Sequence, residues 1–178
     1  VTKDQVRQLC EQFGPRFNID PALGLAICSR ESGSGGGFSD DACRLEEGFY
    51  RRYTAPGSLS TTTEVLLACS YGLMQVMGQS LREIGFFDFF KTYNNQTSTF
   101  QLQDPLSEVS VPKGINAFMV RPAWQVEWGM KWFTVKLKLA GGSDVRKALQ
   151  LWNGGGNPNY ASEVIVLFDA FKREGIGS

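Results

Sequence analysis

Apolar residues recur at the helical period along most of the chain, and no segment sustains the strict alternation of a half-buried strand. Thr2 and Gln5 form a capping box, after which Val6, Leu9, Cys10 and Phe13 follow at helical spacing until Gly14-Pro15 stops the run. Asp20-Pro21 restarts a helix as N-cap and first-turn proline, with Leu23, Ile27 and Glu31 on one face and Gly33 as its stop. A glycine-rich loop at 33–37 leads through Asp40-Asp41 to an aromatic and basic segment, 45–53, that reads as helical, and 54–60 reads as loop. Thr61 and Glu64 repeat the capping-box spacing and open a short helix to Cys69, followed by a tight segment bracketed by Gly72 and Gly78.

Residues 81–90 are helical in pattern, 94–104 read as loop, and Asp104-Pro105 is a further helix start. After Pro122 a long amphipathic helix carries Trp124, Trp128, Trp132, Val135 and Leu139 to Gly141-Gly142. Ser143 caps the next helix, which runs to Trp152, and 161–172 form a terminal one. The chain has no internal repeat and no heptad run. The expectation is an all-α or mainly α fold in a single domain, 1–178.

With 178 residues, one domain buries roughly 70% of the surface its unfolded chain exposes. Hydrophobic residues at 42% and charged residues at 20% fit a globular domain. Eighteen basic and eighteen acidic residues cancel, so no global field favours nucleic acid or an anionic membrane surface. The longest apolar stretch, 64–77, is interrupted by Ser70, Gly72 and Gln75 and is too short to span a bilayer. The first residues, with Lys3, Asp4, Gln5 and Arg7, lack the hydrophobic core of a signal peptide.

The chain contains no histidine. That removes Ser-His-Asp and Cys-His nucleophile pairs and every His-bearing zinc site, and leaves carboxylate chemistry standing. Four cysteines, Cys10, Cys28, Cys43 and Cys69, are far apart and form no Cys-x-x-Cys pair, which argues against structural zinc. Their even number permits two disulfides, while Cys10 and Cys28 on apolar helix faces also suit free buried thiols.

Glu31 continues the stripe of Leu23 and Ile27 and should point inward. Burial disfavours its ionised form, and so does the negative end of the helix dipole. A protonated carboxyl at neutral pH is what glycosidic cleavage requires of its general acid. The position equally suits a solvated helix-end residue paired with Arg30, and spacing alone does not choose.

Three motifs add to this. Ile19-Asp20-Pro21-Ala22 through Ser29-Arg30-Glu31-Ser32 resembles the catalytic-helix motif of goose-type lysozymes and soluble lytic transglycosylases. Tyr71-Gly72-Leu73-Met74-Gln75-Val76-Met77 is similar to the Gly-Leu-Met-Gln segment of the same superfamily, and Trp152-Asn153-Gly154-Gly155 to its third motif. They occur in the family's order. The resemblance implies a lysozyme-like domain with a substrate cleft, Glu31 as catalytic acid and base, and no metal or organic cofactor. It also implies a sugar cleft lined by Ser32, Tyr71, Gln75, Met77 and Asn153, with the Gly72 backbone close to the glycan.

The chain departs from the family pattern in two places. Trp152 stands where the family carries a tyrosine before Asn-x-Gly; an indole donates a hydrogen bond but accepts no proton, although it can stack on a sugar. A hydroxyl for the catalytic carboxyl would then come from Tyr71, Tyr160 or Tyr50. The second departure is a long insertion between the first two motifs, 33–70, in which Asp40, Asp41, Glu46 and Glu64 are candidates for a second carboxylate that activates water. Glu46 is the first choice. Glu46 and Glu47 could instead pair with Arg51 and Arg52 on an exposed face, Glu64 could cap a helix, and Asp40 and Asp41 could cap the segment after them.

The expected function is cleavage of peptidoglycan glycan strands between N-acetylmuramic acid and N-acetylglucosamine by a lytic transglycosylase that closes a 1,6-anhydro ring. The alternatives are a goose-type lysozyme that hydrolyses the same bond and a non-catalytic wall-binding or virion module. The expected partner is peptidoglycan, without nucleic acid or membrane span, and the expected state is a monomer acting at the bacterial cell wall, periplasmic or extracellular. A neutral surface gives no steering toward an anionic wall, which suggests delivery by a phage particle, a phage lysis system or a secretion apparatus.

Overall fold

Helix α2, Pro21–Ser32, buries Ala22, Leu23, Gly24, Leu25, Ala26, Ile27 and Cys28 in succession, and a helix apolar on nearly every side belongs inside a fold. The structure, a computed structural model, describes residues 1–34, 37–57 and 59–177, with Ser34 described by its backbone alone. Gly35 and Gly36 of the predicted glycine-rich loop, and Ser58 of the predicted loop 54–60, lie outside the described residues. Around α2 pack α1, Lys3–Phe13, and α10, Tyr160–Arg173. The capping box at Thr2 and Gln5 and the Asp20 cap, which accepts from Ala22 N at 2.9 Å, form as the sequence predicts.

Close approach needs Gly24: a Cβ there would lie 2.3 Å from Met130 Cε and 3.3 Å from Cys10 Sγ. Met130 belongs to α8, Pro122–Leu139, the long helix predicted after Pro122. The remaining helices are α3, Glu47–Phe49; α4, Thr61–Leu67; α5, Gly78–Glu83; α6, Phe86–Thr97; α7, Ser110–Met119; and α9, Val145–Trp152. The chain is mainly α, as expected. Phe86 meets the rings of Phe118 at 5.3 Å and Trp128 at 5.2 Å, both edge-on, which ties α6, α7 and α8 into one core. No helix among the described residues is long and apolar enough to cross a membrane.

Several local expectations give way to packing. Strand β1, Gly33–Ser34, pairs antiparallel with β2, Gly37–Phe38, and a second antiparallel sheet has the order β3, Cys43–Leu45; β4, Cys69–Tyr71; β5, Val76–Met77. The predicted helix 45–53 thus begins as a strand, and only Glu47–Phe49 and a π-turn over Tyr50–Thr54 are helical. The helix predicted to reach Cys69 stops at Leu67, because Cys69 is taken by β4. Residues 81–90 are divided at Gly85, whose φ of 81° no regular helix accommodates, and α6 runs to Thr97 through the start of the predicted loop. Asp104 caps a turn, with its Oδ1 accepting from Leu106 N at 2.9 Å, and α7 starts only at Ser110. Asp144, and not Ser143, caps α9 by accepting from Lys147 N at 2.9 Å.

Candidate active site

The last turn of α2 carries Glu31 from the core to the wall of a cleft of about 390 Å3. Tyr160, the first residue of α10, donates from its hydroxyl to Glu31 Oε1 at 2.6 Å, and Trp152 at the end of α9 donates from Nε1 to the same oxygen at 3.2 Å. Three helices therefore meet at one carboxyl oxygen, and Oε2 makes no hydrogen bond among the described residues.

Burial raises the Glu31 pKa above the ordinary carboxylate range. The hydrogen bonds from Tyr160 and Trp152, and the charges of Arg30 and Arg44, oppose the shift without cancelling it. Tyr160 is itself raised, first by burial and then by the neighbouring carboxylate, so its hydroxyl remains a donor. Arg30 does not pair with Glu31: its Nε reaches Glu163 Oε2 at 2.5 Å, and its guanidinium lies 5.5 Å from the Tyr160 ring centre. The cation thus sits behind the tyrosine that holds the acid.

The same cleft is lined by Arg44 of β3, Ser70 of β4 and Glu46, which follows β3 and precedes α3. Arg44 Nε donates to Glu46 Oε1 at 2.7 Å. Ser70 Oγ lies 3.1 Å from the same Glu46 oxygen and 3.0 Å from Gln75 Oε1. Gln75 Nε2 spends its two hydrogens on Ala42 O at 3.2 Å and Gly72 O at 2.9 Å, which fixes Oε1 as an acceptor. The single Ser70 proton thus has three acceptors within reach, the amide, the carboxylate and Arg44 O at 3.4 Å, and Ser70 links Glu46 to the turn between β4 and β5. Gln75 adopts a φ of 48°, an uncommon backbone for a side chain of its size, at the cleft wall.

The cleft brings together Glu31, Glu46, Gln75, Met77, Trp152, Asn153 and Tyr160 of the residues singled out in the sequence. Ser32, Tyr71 and Gly72 are not among its walls. Ser32 is buried, within hydrogen-bond distance of Cys28 O at 3.0 Å and Leu73 O at 2.9 Å, and so joins α2 to the β4–β5 turn. Tyr71 is buried with its hydroxyl donating to Leu66 O at 2.7 Å. At Gly72 the group that comes close is the Gln125 side chain: a Cβ there would lie 2.4 Å from Gln125 Oε1, and φ is 67°. Of the three tyrosines considered for the hydroxyl, Tyr160 supplies it.

The other acids of the insertion are elsewhere. Asp40 lies 3.5 Å from the amino group of Val1, Asp41 accepts from Ser39 at 2.7 Å, and Glu47 pairs with Arg51. Glu64 faces a different cavity. All four cysteines are free, and among the described residues no group of three or more Cys, Asp and Glu could hold a metal ion.

Sequence reasoning missed Arg44, Phe49 and Ser70 as cleft residues and Gln125 as their support. Gln125 is 0% exposed; its Oε1 accepts from Leu73 N at 2.9 Å and its Nε2 lies 2.9 Å from Asp40 O and from Met119 O. One amide thus pins the β4–β5 turn to α7, α8 and the insertion. Its signal was an amide between Trp124 and Val126 on an otherwise apolar face. Comparison of the chain with protein-family models, with curated proteins and with solved structures returned no match.

Proposed function

We propose that this protein cleaves the glycan strand of bacterial peptidoglycan at the cell wall, with Glu31 as general acid and then general base. The observation that carries the reading is the Glu31 carboxyl: its pKa is raised by burial, Tyr160 and Trp152 hold one of its oxygens, and it faces a cleft with an aromatic and amide lining. A lysozyme-like arrangement of helices around such a cleft is part of the proposal.

In the leading form, Glu31 gives its proton to the oxygen joining N-acetylmuramic acid to N-acetylglucosamine as the muramoyl C1 gains oxocarbenium character. The muramoyl C6 hydroxyl then attacks C1, its proton returns to Glu31, and a 1,6-anhydro ring closes. Trp152 offers a ring for the sugar face, and Tyr160 keeps the carboxyl oriented through both transfers.

A second form, hydrolysis by water, is favoured by Glu46, which shares the cleft with Glu31 and is held by Arg44 and Ser70. Mass spectrometry of muropeptides released from purified walls tests the reading. Products one water lighter than hydrolytic ones support the transglycosylase, products with a free reducing end support the hydrolase, and undigested glycan from active-site-intact protein rejects both.

A further inference from the structure

Three segments build the surroundings of Glu31: the end of α2, the turn 153–157 that follows α9, and the start of α10. One other carboxylate joins all three. Glu163, in the first turn of α10, accepts from Arg30 Nε at 2.5 Å and so ties α10 to the residue that precedes the acid. Each of its oxygens also lies 3.3 Å from Asn157 Nδ2. Asn157 in turn accepts at its backbone oxygen from Asn153 Nδ2 at 3.2 Å and at Oδ1 from Asn159 N at 2.9 Å. Asn153 and Gly154 line the Glu31 cleft, whereas Glu163 stands outside its walls. Tyr160 precedes Glu163 by three positions, on the same side of α10.

The charge of Glu163 matters as much as its bonds. Arg30 and Glu31 are consecutive, so the guanidinium is near the acid in any arrangement of the site, and its charge acts to lower the Glu31 pKa. Glu163 compensates that charge at a point where the guanidinium lies 5.5 Å from the Tyr160 ring centre. The hydrogen bond to Glu163 is the first cause that raises the Arg30 pKa, while Arg30 and Asn157 hold Glu163 below the ordinary carboxylate range, so both are ionised at neutral pH. The remaining groups around Glu31 do not depend on Glu163. Trp152 and Tyr160 donate to Glu31 Oε1, Arg44 is held by Glu46, and the Cys28 thiol is raised by its contact with Cys10 and by burial and stays neutral.

We propose that Glu163 is a positioning residue for the Glu31 acid: it compensates the Arg30 charge behind Tyr160 and clamps α2, the 153–157 turn and α10 around the carboxyl. The proposal rests on the glycan-cleaving reading for the role of Glu31 as acid.

The test uses Glu163→Gln, Arg30→Gln, the double variant and Glu174→Gln. The last removes a carboxylate from a comparably exposed pair, Lys3 with Glu174 at 2.8 Å, beyond the other end of α10. Exposed pairs contribute little to stability, so all four variants are expected to melt within a few degrees of the native sequence. The Glu31 carboxyl is titrated by carbon-detected NMR at low ionic strength, where screening is least. Glu163→Gln is expected to lower its pKa by at least about 0.3 pH unit, because Arg30 then acts uncompensated. Arg30→Gln is expected to raise it, the double variant to fall between the two, and Glu174→Gln to leave it in place. A merely structural role would lower the melting temperature without these opposed shifts. An unmoved Glu31 titration in Glu163→Gln or in Arg30→Gln, or an equal shift in Glu174→Gln, overturns the proposal. In parallel, the alkaline limb of wall cleavage is expected to move to lower pH in Glu163→Gln. If the native sequence cuts no wall, the glycan-cleaving reading fails by itself while the NMR titration still decides the part of Glu163.

Discussion

The Tyr160 hydroxyl lies 2.6 Å from Glu31 Oε1, 129 positions away in the chain, and gives the carboxyl its shortest contact. The bond supplies the hydroxyl that Trp152 cannot. The hydroxyl comes from the next helix, and the indole donates to the same oxygen from the other side. Both donors favour the charged carboxylate, and burial outweighs them. The acid is held in place by groups that partly oppose its protonation.

Tyr160→Phe therefore raises the Glu31 pKa further. In the proposed mechanism general-acid catalysis needs Glu31 protonated, so activity is expected to fall as pH passes above that pKa, and the loss of Tyr160 to move this alkaline limb to higher pH. The maximal rate is expected to drop by about tenfold as the carboxyl loses its orientation, within the range assigned to positioned acid–base groups. A pH–rate profile on purified walls checks both effects; an alkaline limb that stays in place removes Tyr160 from the account.

Glu31→Gln separates function from stability. A group whose folded pKa is raised binds its proton more tightly in the native than in the unfolded state. Its stabilisation is complete below the unfolded pKa, about 4.3 for glutamate, and is lost as pH rises through the folded value. At neutral pH the raised Glu31 pKa is therefore a cost to the fold. Gln keeps an acceptor for Tyr160 and Trp152, so the variant is expected to melt above the native sequence at pH 7 and to lose that advantage near pH 4. Wall cleavage should fall by about 10²–10⁴-fold. Thermal melts across this pH range and turbidity clearing of walls measure the two effects.

Gly72→Ala tests the support beneath the cleft. The substitution places a Cβ 2.4 Å from the Gln125 carbonyl oxygen and forces a φ of 67° on a residue with a side chain. Gln125 cannot withdraw without leaving the buried Leu73 N–H unpaired. Together these cost about 2–3 kcal/mol, a fall of roughly 4–12 °C in melting temperature for a domain of this length. A melting temperature within a degree of the native one would mean that the turn and α8 separate without penalty.

The helices were legible where local signals agree. At Thr2 and Gln5, at Asp20-Pro21, and from Pro122 to Gly141 the cap, period and stop all indicate the same boundaries. Ser60 to Thr63 are four successive residues able to cap, and packing chooses among them. Strands of two or three residues are too short to show alternation, and β4 is buried throughout. In the candidate site, Glu31 was legible because an acid interrupts an apolar helical face. The roles of Ser32, Tyr71 and Gly72 were not, because a polar or small residue inside a motif looks the same whether it faces a ligand or a neighbouring strand. Tyr160 was only one of three tyrosines considered, since its contact depends on how α10 packs on α2.

Glu46→Gln distinguishes the two chemistries within one protein. Water-mediated hydrolysis needs a second carboxylate as base, and Glu46 is the one acid of the insertion that shares the Glu31 cleft. In the proposed cycle, ring closure by the muramoyl C6 hydroxyl needs no second base, because the Glu31 carboxylate takes the C6 hydroxyl proton in place of the one it gave to the leaving oxygen. Gln preserves the acceptor for Arg44 and Ser70, so the β3–β4 sheet should stay intact. The leading reading predicts that Glu46→Gln changes the rate by less than about tenfold and leaves the anhydro product dominant; hydrolysis predicts a loss of at least about 10². Rates and muropeptide masses measured on the same digest decide it. A large loss of reducing-end product would assign the base to Glu46 and leave Glu31 as acid alone.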